Sequence, residues 1–180
     1  MIFVVDACVA HAVGGLETTD PISKNCREIL MEIFLKSHEI AISSKIIEEY
    51  NNDHTSNFFK EWYSDMVRKS CVKFLNKNNP ELLNKIKRKI CSSKNKDREA
   101  IYKIVIKDAH LLETALAADK FIISNDIKAR KHIVQLIKND NEKLGINLVI
   151  WVATEDILIN WLKKGANNNK IPRRWNLAST

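Results

Sequence analysis

Short apolar runs alternate with stretches of helical periodicity along this chain. Ile2-Phe3-Val4-Val5 runs straight into Asp6, and Phe121-Ile122-Ile123-Ser124-Asn125 into Asp126. β-Branched and aromatic runs this short, bounded by polar residues, predict buried strands of a parallel sheet. Residues 39–43 and 146–152 are two further runs of this kind. Between them, apolar residues recur at helical spacing. Cys26, Ile29, Leu30, Ile33 and Phe34 follow Pro21, and Ile46, Ile47 and Tyr50 follow a cap at Ser43 or Ser44. Phe59, Trp62, Tyr63, Met66 and Val67 follow Thr55 or Ser56, and Leu82, Leu83 and Ile86 follow Pro80. Asp97 is expected to open a helix through Ile101, Ile104 and Val105. Asp108 is expected to begin, or sit just inside, another with the face Leu111, Leu112 and Ala115. Helices over 127–137 and 155–162 complete the series.

Strands separated by helices predict an α/β fold around a central parallel sheet of four to five strands. Right-handed crossovers place helices on both faces. At 180 residues the chain suits one core, expected over 1–165, with a polar tail at 166–180. Residues 54–107, between the second and third strands, read as a helical insertion within that domain. This block carries 14 Lys+Arg against 5 Asp+Glu, whereas the rest of the chain carries 15 against 17. So local a positive charge suits a polyanion, and suits a solvated surface equally well. No apolar run approaches the ~20 residues of a membrane span. With no leader pattern and no CxxC among the four cysteines, free thiols in a reducing cytoplasm are expected.

The carboxylates then change the picture. Ligands of open parallel sheets sit outside the carboxyl ends of the strands. If the first and third strands are neighbours, Asp6 and Asp126 converge there. Two carboxylates held together must take up a proton or share a cation. Each could instead cap the helix that follows it. Asp108 could likewise be a helix cap, and Glu48 or Glu49 a surface charge. As a set, however, these acids gather near one edge of the sheet. Clustered carboxylate oxygens suit hard cations such as Mg²⁺ or Mn²⁺, which activate water in phosphodiester cleavage.

Four segments resemble the PIN-domain ribonucleases. Val4-Val5-Asp6-Ala7-Cys8-Val9 resembles that family's opening strand and first acid. Ser44-Lys45-Ile46-Ile47-Glu48-Glu49-Tyr50 is similar to its second segment, in which an acid directly precedes an aromatic residue, favouring Glu49. Asp108-Ala109-His110-Leu111-Leu112-Glu113-Thr114-Ala115 resembles the third, and Ile122-Ile123-Ser124-Asn125-Asp126 the fourth. The resemblance covers about two-thirds of the chain. It implies a three-layer α/β/α sandwich and a Mg²⁺- or Mn²⁺-dependent endoribonuclease of single-stranded RNA. Asp6, Glu49, Asp108 and Asp126 would be its catalytic and metal-binding acids, with Ser124 auxiliary. Lys85, Lys87, Arg88 and Lys89 would contact RNA phosphates. For toxin-type members it further implies an antitoxin protein as partner and a homodimer as assembly. Cys8 departs from the small polar residue common at its position. No further acid follows Asp126 within four residues. The alternative is a non-catalytic RNA-binding or protein-interaction module with a PIN-like fold.

Overall fold

The computed structural model describes residues 1–15, 17–52, 54–75, 79–92, 98–138 and 145–177. Five strands form one sheet: β1 (Ile2–Val5), β2 (Glu39–Ile42), β3 (Val72–Phe74), β4 (Phe121–Ile123) and β5 (Ile150–Val152). Their order is β3-β2-β1-β4-β5, and all neighbours pair parallel. The described helices are α1 (Ala7–Ala12), α2 (Pro21–Leu35), α3 (Ser44–Tyr50), α4 (Asn57–Arg68), α5 (Pro80–Ser92), α6 (Arg98–Leu116), α7 (Ile127–Lys138) and α8 (Asp156–Lys163).

Consecutive residues of β1 and β4 point to opposite faces of the sheet. Phe3, Val4, Val5, Phe121, Ile122 and Ile123 are nevertheless all fully buried, so both faces of the central strands are covered. On the face of Phe3 and Phe121, Trp161 of α8 stacks on Phe121 with ring centroids 5.2 Å apart. Trp175 meets the edge of the Trp161 ring at 5.8 Å. The chain starts at β1, adds β2 and β3 on one side, and then crosses to β4 and β5 on the other. The strand order therefore reverses between β1 and β4, the crevice where open α/β sheets bind their ligands.

Several expectations are corrected. Residues 54–107 are not helical throughout: β3 lies inside them and extends the sheet. Two of its three residues are exposed, as suits an edge strand, and Lys73 pairs with Glu39 at 2.9 Å. Phe59, Trp62 and Met66 of α4 are core residues, and the Trp62 indole donates to the Leu30 carbonyl at 2.8 Å. The two helices expected to either side of residue 106 are one continuous helix, α6, with no Gly or Pro to break it. Asp108 therefore lies mid-helix. Asp97, expected to open a helix, lies outside the described residues. Residues 146–148 form a 3₁₀ turn, and β5 begins only at Ile150.

The expected polar tail is packed. Trp175 and Leu177 are buried, and Asn176 bridges Ile150 antiparallel at the sheet edge. Trp175→Ala is expected to cost about 3–5 kcal/mol, the range for emptying a large aromatic site in a core. Urea unfolding measures it. A loss near zero would mean that the tail contributes nothing to the fold.

Candidate active site

The Asp6 amide donates to the Ile123 carbonyl at 3.0 Å, extending the β1–β4 pairing past the strand ends. Val5 registers with Ile123, so Asp6 falls opposite Ser124, with Asp126 two residues on. Asp6 is the N-cap of α1, its Oδ1 accepting from the Cys8 amide at 3.1 Å. Its Oδ2 accepts from the Ser124 hydroxyl at 2.5 Å and from the Cys8 thiol at 3.1 Å. Ser124 Oγ in turn accepts from the Asp126 amide at 3.0 Å. Asp126 Oδ1 accepts from the Ala129 amide at 2.8 Å, in the first turn of α7. Both capping roles considered for Asp6 and Asp126 are therefore real. Each carboxylate holds its helix and faces the crevice as well.

Asp108 has no such duty. Counting back from Ala115 and Leu112 and forward from Val105, it falls on the core-facing stripe of α6. It is 8% exposed, and its carboxylate accepts no hydrogen bond from the described residues. Burial raises its pKa to about 6, and the charges of Asp6 and Asp126 push in the same direction, against Lys107 and His110. The structure thus brings Asp6, Asp108 and Asp126 within mutual electrostatic range. Yet no three His, Cys, Asp or Glu side chains among the described residues are posed to ligate one ion. With Asp6 and Asp126 drawn to their helix caps, closing on an ion would take side-chain rotation. By chemical type these three carboxylates are the donors a hard divalent cation takes.

Glu49 lies across α6. Its Oε2 meets His110 Nε2 at 3.2 Å, while His110 Nδ1 sits 2.8 Å from the Lys107 carbonyl. A carbonyl only accepts, so Nδ1 carries its hydrogen. Nε2 and Oε2 therefore hold one further proton between them. Burial raises the Glu49 pKa, but the hydrogen bond and charge of His110, with Lys45 and Lys107, outweigh it and leave it low. Glu48 is exposed, which separates the two adjacent acids. Tyr50, next along, donates its hydroxyl to the Val5 carbonyl at 2.5 Å and fixes α3 against the end of β1.

The sequence reading missed the groups that support these acids. His110 carries a signal in the sequence, its place two residues after Asp108. Cys8 accepts the Asn125 amide at 3.2 Å and donates to Asp6, so its thiol bridges the two strand ends. Burial, then Asp6, keeps that thiol protonated. Asn125 Oδ1 takes the Thr154 amide at 3.0 Å and hydroxyl at 2.8 Å, tying β4 to the end of β5.

The four basic residues of α5 divide. Lys87 and Arg88 are exposed. Lys85 pairs with Glu81 at 2.8 Å, and the Lys89 ammonium reaches the Leu136 carbonyl at 3.5 Å. They do not form one face. A cleft of about 480 Å³ lies instead between α3, the start of α5 and α6, lined by Lys45, Leu83, His110 and Thr114 among others.

No family model, curated protein or solved structure matches this chain. The functional reading therefore rests on the residues themselves.

The proton on Asp108 is bound more tightly in the folded than in the unfolded chain. Its contribution favours the fold below about pH 4 and is lost as pH rises through about 6. Asp108→Asn removes that penalty. In EDTA the variant is expected to be more stable than wild type by about 1–2 kcal/mol at pH 8, with the gain shrinking towards pH 4. Urea unfolding at the two pH values reads this out; an equal loss at both would contradict it.

Proposed function

We propose that this chain is a divalent-metal-dependent endoribonuclease of the PIN-like kind, a three-layer α/β/α sandwich acting on single-stranded RNA. The observation that carries the reading is Asp108, buried, without a hydrogen bond to its carboxylate among the described residues, and within electrostatic reach of Asp6 and Asp126 where the strand order reverses. A carboxylate without a structural partner costs stability wherever it is buried. Its presence beside two others is economically explained by a cation. Mg²⁺ or Mn²⁺ held by Asp6, Asp108 and Asp126 would supply charge neutralisation at the scissile phosphate and an activated water.

The chain's own residues supply the rest. The Ser124 hydroxyl donates to Asp6 Oδ2 and restrains the rotation of that carboxylate. The Asp126 amide holds that serine in turn. The Glu49–His110 pair holds one proton between Oε2 and Nε2, so it can accept a proton from the attacking water or return one to the departing oxygen. Attack of water on phosphorus breaks the bond to the 3′ oxygen, leaving a 5′-phosphate and a 3′-hydroxyl. Exposed Lys87 and Arg88, with Lys45 in the cleft, give phosphate contacts without sequence preference. A toxin role with an antitoxin partner, and a homodimer, belong to the same proposal and rest on the resemblance alone.

The rival reading, a non-catalytic RNA-binding or interaction module, draws on the capping roles of Asp6 and Asp126. It leaves Asp108 without a purpose.

Cleavage of single-stranded RNA in Mn²⁺ tests the reading. Wild type is expected to cut, EDTA to abolish cutting, and Asp6→Asn, Asp108→Asn and Asp126→Asn each to slow it on the order of 100-fold. Undiminished cleavage by Asp6→Asn and Asp108→Asn would remove the activity from this site. Glu49→Gln is expected to lower the rate by at least about 100-fold while leaving RNA affinity unchanged, as loss of a proton-transfer group does.

A further inference from the structure

A second cleft, of about 570 Å³, opens where the end of α1 meets the connection between α3 and α4. That volume lies in the range of small-molecule sites. His11, His54, Thr55, Asn57, Phe58 and Glu17 are among its lining residues. Two polar atoms in this wall have no partner. Thr55 is 4% exposed, and its hydroxyl makes no hydrogen bond. His11 Nε2 is likewise buried and unsatisfied. Buried polar atoms are nearly always paired, so two orphans on residues that line one cleft call for a polar partner.

The lining narrows the chemistry of that occupant. No third ligand completes the two histidines as a metal site among the described residues. The Glu17 carboxylate disfavours a phosphate. It folds over Gly15, its Oε1 lying 2.1 Å from where a Cβ there would stand. The rings of His11 and His54 stand edge to face with centroids 6.5 Å apart, and Phe58 adds a third ring. Rings to stack on, a carboxylate to accept and two groups able to donate together suit a nucleobase. Guanine is the best complement: its N1–H and N2–H₂ suit the carboxylate, and its O6 and N7 suit Thr55 O–H and His11 Nε2–H. Uracil, with one N–H between two carbonyls, is the poorest.

Position connects this cleft to the acidic crevice. His11 lies five residues beyond Asp6 in the chain, about 7.5 Å along α1. We propose that the cleft is a subsite for an unpaired guanine of the RNA strand cut at the acidic crevice, a proposal that rests on the ribonuclease reading.

The test titrates the four nucleoside monophosphates and ribose 5-phosphate into the full chain in EDTA, following the His11 and His54 ring resonances by NMR. GMP is expected to shift both rings saturably and to bind at least about fivefold tighter than UMP, the worth of roughly one hydrogen bond. Ribose 5-phosphate is expected to shift neither. Thr55→Val keeps the side-chain shape and removes a hydroxyl that bonds to nothing, so the fold is retained; it and Glu17→Gln are each expected to weaken GMP by about fivefold. Asp6→Asn is expected to leave GMP binding unchanged. No ring shift at millimolar GMP, equal shifts with UMP or ribose 5-phosphate, or indifference to both variants would overturn the base site. Mapping of cut positions by wild type supplies the second arm. A guanine preference at one fixed place beside the cut, lost in Thr55→Val, supports the subsite. Cutting without it would assign the cleft to a free nucleotide and overturn the substrate role. Absence of any cutting is a failure of the ribonuclease reading, and the titration tells it apart from failure of the base site.

Discussion

The Asp6 amide donates to the Ile123 carbonyl, and that bond carries the parallel pairing of β1 and β4 to the point where the two strands stop. Both strands belong to a sheet whose strand order reverses between them. The consequence is geometric. The residues that follow are delivered to one crevice, Asp6 opposite Ser124 and Asp126 just beyond. Ser124 then bridges the two, donating to the Asp6 carboxylate and accepting from the Asp126 amide. Tyr50 bonds the Val5 carbonyl and sets α3, and with it Glu49, against the same strand end. If β1 and β4 were not neighbours, Asp6 and Ser124 would not meet.

The crevice also shows how structural and chemical roles share residues. Asp6 and Asp126 begin helices, so each has a reason to exist without any ligand. Asp108 does not. It occupies a core-facing position that would ordinarily carry an apolar side chain, and the neighbouring carboxylates raise the cost of its charge. A site that is destabilised when empty is one that a ligand of opposite charge can stabilise by mass action. The same physics separates Glu49 from the trio. Its carboxylate meets the His110 ring, so it has a partner within the protein.

Legibility in the sequence followed the strength of the local signal. β1 and β4 were plain because fully buried strands are continuous apolar runs. Asp6 and Asp126 were plain because each ends one. β3 was hidden: an edge strand of three residues, with a lysine at its centre and two residues exposed, carries too little burial to leave a pattern. Asp108 was recognised as an acid of interest but misplaced in its element. Its isolation as a polar residue on the apolar stripe of α6 was the better clue, and it requires seeing one helix where the sequence suggests two. The buried tail went unread because Trp175 and Leu177 are single apolar residues in a polar stretch, without periodicity. Which of Glu48 and Glu49 faces inward depends on the rotation of α3, which tertiary packing decides. His110 meets Glu49, and Cys8 meets Asn125, only through contacts far apart in sequence.

Binding of the ion itself bears most directly on the account. Calorimetric titration of the chain with Mn²⁺ at pH 5.5, in two buffers of different ionisation enthalpy, measures affinity and proton release together. The account requires saturable binding that displaces a proton from Asp108, with the release fading by pH 8. It also requires that Asp6→Asn and Asp108→Asn lose most of the affinity. No binding at millimolar Mn²⁺, or binding that both variants retain in full, would contradict it.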